Sequence, residues 1–361
     1  MKKIAIVTII NRNLGNRLQN YALHNYLEMD GFEVHTLVYK KQSKLKEVKR
    51  IGKNLLYPFV DKYKDVVWDN FNKKIKWDNR IVNESGDAIN NDYDYFVAGS
   101  DQIWNPNFDF ISDREFLTFA SKEKRIAYAA SIGVNEIPLE KRDIYDDYFH
   151  GFKAISVREN EAAKIVDSFL GLEVPVVIDP TMLIQSDDWA KIADESRLKL
   201  KKRYILKYFL GKNSEEVLNA INMMSNENDL EVFDIMNANG KVKREIGPTE
   251  FLWLIRNADY ICTDSFHGAV FSILFHKQFF VFERPIEKGY GNMNSRIDTL
   301  LGKFDLKGRY IHSIYDMENI LKQNISYEHI ENLLAIEREK ARLYLKNAMK
   351  GRMYEQKGIL H

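Results

Sequence analysis

The chain has 361 residues, 45% hydrophobic and 29% charged, which is enough to bury the cores of two domains. A formal net charge of +1 gives the whole molecule no field that would select nucleic acid or another polyanion. Cys262 is the single cysteine, which excludes an intramolecular disulfide and a paired-cysteine metal site, and no apolar run approaches the roughly 20 residues that span a bilayer.

The basic then apolar start, Lys2 to Val7, is too short for a signal peptide and stops at Asn11-Arg12-Asn13, so a cytoplasmic location is expected. Ile4 to Ile10 reads as a strand buried on both faces, as in a parallel sheet. Asn11 to Asn16 is a polar turn holding Gly15. Leu18, Tyr21, Ala22, Asn25, Tyr26 and Met29 then follow helical spacing, and Phe32 to Tyr39 is the next strand. This strand–helix–strand unit opens an α/β domain.

Residues 40–80 interrupt the alternation. Lys40, Lys41, Lys44, Lys46, Lys49, Arg50 and Lys53 precede Tyr57, Phe59, Tyr63, Trp68, Phe71 and Trp77. A helical insertion is expected there, either with a solvated basic face or docked on an anionic membrane surface. Strands resume at Tyr95–Ala98, Arg125–Ala130, Ala154–Val157 and Val174–Ile178, each followed by a polar or glycine-bearing turn. Such turns are where open α/β sheets bind ligands.

A boundary falls near 185–203. Beyond it come a strand at Tyr204–Phe209, a helix around Ser214–Met224, a strand at Glu231–Ile235, and a helix at Glu250–Arg256. A strand at Tyr260–Thr263, a helix at Gly268–Phe275 and a strand at Phe279–Phe282 follow. Ile330, Leu334, Ala341, Leu345, Ala348 and Met349 mark one face of a long final helix. The expected organisation is an α/β domain at 1–190 carrying the 40–80 insertion, a second at 200–325, and a helix at 326–357 bracing the two across a cleft.

Thr263-Asp264-Ser265-Phe266-His267-Gly268 is the most chemically loaded turn. A helix starting there presents free N–H groups and partial positive charge to an anion. His267 can be a proton donor beside that anion or a structural turn residue; Asp264 is placed to orient it. Ser265 can cap the helix, and Gly268 leaves its end open. Arg158, after the third of the resumed strands, can fork onto a carboxylate or phosphate, or pair with Glu159 or Glu161. Gly15-Asn16 can admit a phosphate to the first helix, and Arg296 is a second cationic anchor or a solvated arginine. Ser100, Asp101, Trp104 and Asn105 combine polar groups with an indole that suits a sugar face, or else a capped turn with Trp104 in the core. No metal-ligand motif and no cofactor motif is present.

Together, five patches resemble the polysaccharide pyruvyl transferase family: Asn13 to Leu23, Gly99 to Asn105, Ser156-Val157-Arg158-Glu159, Asp179-Pro180-Thr181, and Thr263 to Gly268. They span roughly residues 4–300. Many members carry Asp where this chain has Asn16. The resemblance implies two Rossmann-like domains facing across a cleft, a GT-B-like arrangement. It also implies transfer of the pyruvyl group of phosphoenolpyruvate to two hydroxyls of one sugar, in a cell-surface polymer or its lipid-linked precursor. It gives His267 the general-acid role and Arg158 the donor site. A GT-B-like glycosyltransferase using a nucleotide sugar, or a non-catalytic sugar- or partner-binding protein, would share the scaffold. The acceptor sugar, the ketal stereochemistry and the oligomeric state are not encoded in any motif.

Overall fold

Two all-parallel sheets carry the molecule. The computed structural model describes residues 1–38, 60–80, 82–238, 246–284, 294–311 and 325–350, with positions 317, 320 and 323. The first sheet comprises β1 (Lys3–Val7), β2 (Glu33–Leu37), β3 (Trp77–Asp78), β4 (Tyr95–Ala98), β5 (Arg125–Ala130) and β6 (Ala154–Val157), in the order β3-β2-β1-β4-β5-β6. The second comprises β7 (Tyr204–Tyr208), β8 (Glu231–Asp234), β9 (Tyr260–Thr263), β10 (Gln278–Phe282) and β11 (Tyr310–Ile311), in the order β11-β10-β9-β7-β8. Register is fixed at the sheet centres, with Ile4 opposite Val34 and Tyr95, and Ile261 opposite Leu206 and Phe279. Ile4 to Val7 are fully buried, because helices cover both faces of a parallel sheet.

The first crossover is α1 (Leu14–Met29), started by Asn13, whose side-chain oxygen accepts the Asn16 N–H at 3.2 Å. Further helices in the first half are α2 (Val60–Asn72), α3 (Val82–Asp92), α4 (Arg142–Phe149), α5 (Asn160–Leu170) and α6 (Ser186–Asp194). The second half has α7 (Glu215–Glu227), α8 (Pro248–Asn257), α9 (Phe266–Leu274) and α10 (Ser295–Lys303), and the chain continues into α11 (Tyr327–Lys350). All nine residues of α9 are buried, as expected of a helix that is apolar on every side. Phe271 of α9 meets Trp189 of α6 edge-on at 5.1 Å, and Trp189 meets Tyr21 of α1 at 5.6 Å. One apolar cluster therefore runs from the first sheet through α1, α6 and α9 into the second.

The apolar face expected on the final helix is buried at all six positions. The helix touches both halves: Tyr344 donates to Ala127 O at 2.6 Å, Arg338 Nε to Met182 O at 2.8 Å, and Glu337 pairs with Lys303 at 2.6 Å. The expected strand Val174–Ile178 is instead a single bridge, Val176 opposite Val157. Pro175 has no N–H to extend the ladder, so only Val157 N to Pro175 O and Val177 N to Val157 O form. β3 and β11, two residues each, are too short to leave a periodic signal. The basic run at 40–53 and Tyr57 and Phe59 lie outside the described residues. Trp68 and Phe71 of α2 are buried in the core.

Candidate active site

The loaded turn folds as its local chemistry dictates. β9 ends at Thr263, and Ser265 takes an extended conformation (φ −91°, ψ 130°) with its hydroxyl accepting the Gly268 N–H at 3.3 Å. α9 then starts at Phe266, so His267 sits in its first turn and is 6% exposed. From the first half, Gly15 occupies the corresponding place in α1. A methyl group added at Gly15 would lie 2.0 Å from His267 Nδ1, so the bare backbone of α1 abuts the imidazole. Two helix N-termini, one behind each half's sheet, meet at one histidine.

On its other side, His267 Nε2 lies 3.6 Å from Asp179 Oδ2, makes no hydrogen bond among the described residues and is closed off from solvent. Asp179 is fixed by Thr181, whose N–H and hydroxyl donate to Oδ1 at 3.0 and 2.7 Å. Arg158 bridges two carboxylates: Nη1 donates to Asp179 Oδ2 at 2.7 Å and Nη2 to Asp101 Oδ1 at 3.0 Å. Its guanidinium lies 4.2 Å from the Phe266 ring centroid, a cation–π contact between the two halves. Arg158 Nε is buried without an acceptor among the described residues. Arg296, in the first turn of α10, reaches within 3.8 Å of Asp101 Oδ1. Ser100 Oγ donates to Ala129 O at 2.7 Å and stands 3.2 Å from Asp179 Oδ2.

The electrostatics follow from packing these charges without water. Burial alone would raise the Asp179 carboxyl; His267, Arg158 and the Thr181 N–H outweigh burial and hold it well below the usual carboxylate range. Asp101 is lowered in the same way, against burial, by Arg158, His267 and Arg296. Burial, followed by the neighbouring Arg158, lowers the Arg296 guanidinium to about 10.

Several expected site residues have other work. Asp264 does not orient His267: its oxygens accept the Leu210 and Gly211 N–H groups at 2.7 and 2.8 Å, and Arg284 Nε donates to it at 3.1 Å. The carboxylate beside the histidine is Asp179, which the sequence marks as part of the Asp179-Pro180-Thr181 patch without giving it a role. Gly268 is required by Thr263, whose Oγ1 would lie 2.4 Å from an added methyl, and not by an open helix end. Asn16 is buried and continues the Asn13 cap. Gln19 links the loops after β1 and β4: its amide donates to Thr8 Oγ1 at 2.7 Å and its carbonyl accepts the Ser100 N–H at 2.9 Å.

Trp104 is no sugar platform. It is fully buried, stacked on Phe116 at 5.6 Å and 4°, with Nε1 donating to Glu115 O. Asn105 is also buried and bonded to Gln102 at 2.8 Å. Trp104→Ala is expected to cost about 3–5 kcal/mol of stability, read by chemical denaturation. A platform role would instead leave stability intact and change only acceptor binding.

A family model, Polysaccharide pyruvyl transferase, matches residues 13–284. The chain belongs to the polysaccharide pyruvyl transferase family. It is a transferase of polysaccharide modification. The match takes in every residue of the cluster except Arg296. No curated protein matches the chain. Among solved structures, UDP-GlcNAc 2-epimerase from Neisseria meningitidis bound to UDP-GlcNAc shares 10% identity, covering 97% of this chain and 100% of its own, at TM-score 0.56. The UDP-N-acetylglucosamine 2-epimerase from Rickettsia bellii shares 10% identity, with 97% of each chain covered and TM-score 0.53. The S. aureus MnaA–UDP co-structure shares 14% identity over 98% of each chain, at TM-score 0.52. At these identities the likeness is one of fold: this pyruvyl transferase-family chain has the GT-B arrangement. Among the described residues, no helix is long and apolar enough to cross a membrane.

Proposed function

We propose that this chain moves the pyruvyl group of phosphoenolpyruvate onto two hydroxyls of one sugar, in a cell-surface polysaccharide or its lipid-linked precursor, with release of phosphate. The observation that carries the reading is the convergence of His267, Arg158 and Arg296 from both halves where the N-termini of α1 and α9 meet. Phosphoenolpyruvate carries a carboxylate and a phosphate, and helix N-termini with arginines are anchors for both. Arg158 gives one N–H of each terminal nitrogen to Asp101 and Asp179, and its Nε–H has no acceptor among the described residues, so the guanidinium keeps N–H donors for a substrate anion.

His267 gives a proton to the methylene carbon, and the double-bond pair forms the new C–H bond. A sugar hydroxyl attacks the adjacent cationic carbon and returns its proton to the histidine. The C–O bond to phosphate then breaks, the second hydroxyl closes the ketal, and its proton leaves with the phosphate. Asp101 and Asp179, both ionised, balance the arginines so that the site is not a static trap for the anion.

Titration calorimetry with phosphoenolpyruvate tests the donor. Binding in roughly the micromolar to millimolar range is expected, weakened in Arg296→Gln. Heat from a nucleotide sugar and none from phosphoenolpyruvate would instead assign the site to glycosyl transfer.

A further inference from the structure

We infer that Asp179 is the positioning residue of His267: it holds the imidazole with Nε2 toward itself and so leaves Nδ1, beside Gly15, as the nitrogen that exchanges protons with the substrate. The inference deepens the pyruvyl-transfer reading and rests on it for the identity of the substrate. Its basis is the asymmetry of the two ring nitrogens. Nε2 is closed off from solvent, has no hydrogen bond among the described residues, and faces a carboxylate at 3.6 Å. Nδ1 faces the one residue of α1 whose side chain is absent; any other residue there would place Cβ 2.0 Å from it.

Asp179 is itself locked. Thr181 holds Oδ1 through two hydrogen bonds, and Arg158 holds Oδ2 at 2.7 Å. Both oxygens are therefore committed, and the Arg158 charge keeps the group ionised, so Asp179 orients and does not itself take the proton. The other carboxylate close to this ring is Asp101, tied to Arg158 and near Arg296.

The proton steps close. The Nδ1–H bond breaks as the C–H bond forms on the methylene carbon, leaving a neutral imidazole whose remaining proton is on Nε2, facing Asp179. Nδ1 is then free to take the proton of the attacking hydroxyl, which restores the imidazolium. A ring flipped by half a turn would set Cε1 in place of Nε2 beside Asp179 and carbon Cδ2 in place of Nδ1 beside Gly15, losing both placements.

The test is steady-state phosphate release by Asp179→Asn and Thr181→Val, with a thermal double-mutant cycle against His267→Asn. Asp179→Asn is expected to lower kcat on the order of 100-fold, with a smaller change in KM for phosphoenolpyruvate because Arg158 loses the same partner. Thr181→Val, which removes one of the two bonds to Oδ1, loses kcat in the same direction by a smaller factor and carries the test should Asp179→Asn not fold. Adding Asp179→Asn to His267→Asn lowers kcat no further. A kcat at the wild-type level in both single variants, or an effect confined to KM, overturns the assignment. The thermal cycle is independent of the substrate: non-additive shifts in Tm support the pairing even if wild type releases no phosphate, whereas additive shifts refute it. Absence of phosphate release from wild type with non-additive Tm shifts would bring down the donor reading alone.

Discussion

Gly15→Ala is expected to lower kcat on the order of 100-fold while leaving the protein folded. The added methyl would lie 2.0, 2.5 and 2.8 Å from Nδ1, Cγ and Cε1 of His267, far inside contact distance. The ring must retreat by on the order of 1 Å or more, and displacements of that size at a reacting group cost about 10²-fold. Gly15 is the second residue of α1, where the helix propensity of alanine, worth up to about 1 kcal/mol, offsets part of an overpacking cost of about 1–3 kcal/mol, so the loss of Tm is expected to be small. A loss of turnover far larger than that small loss of stability would identify Gly15 as a clearance for His267. Wild-type kcat in this variant would show that the ring's position against α1 does not matter.

Arg158→Met is expected to destabilise the fold by about 3–5 kcal/mol, because it leaves Asp101 and Asp179 buried without their shared cation. The pH dependence should reverse as well. In wild type both carboxyls sit below their unfolded values, so their contribution is fully present above about pH 4 and is lost as pH falls through the folded pKa values. Without Arg158 the burial that opposes ionisation prevails at Asp101, whose largest opposing charge is gone. Relative to wild type, in which these two carboxyls contribute no pH dependence over that range, the variant should then gain stability as pH falls from 7 toward 4. Denaturant midpoints across that range read the difference. A loss of activity with unchanged stability and an unchanged pH trend would mean that Arg158 is not the bond between those carboxylates.

What the sequence made legible was local. Thr263 ending a strand, Ser265 capping and His267 opening a helix follow from apolar runs and one hydroxyl, chemistry confined to a few neighbouring residues. The same holds for Asn13 ahead of α1 and for the apolar stripe of α11. What failed was partner choice across the fold. Asp264 lies three residues from His267, yet it is taken by Leu210, Gly211 and Arg284, while Asp179, 88 positions from His267 by their numbers, comes beside the ring. Trp104 illustrates the same limit, since a polar turn followed by an indole reads alike whether the indole faces a sugar or, as here, Phe116. In sequence, Gly15 and Gly268 look alike, each an open stretch of backbone at a helix start. Only three-dimensional packing separates the first, which clears a histidine, from the second, which clears a threonine at the end of the preceding strand.

The central claim is that His267, held where the two halves meet, protonates phosphoenolpyruvate during transfer to a sugar. Phosphate release from phosphoenolpyruvate with a panel of sugar acceptors, wild type against His267→Ala, tests it most directly. The account predicts acceptor-dependent release by wild type and, in the folded variant, a loss on the order of 100-fold or more. Near-normal release by His267→Ala would contradict it.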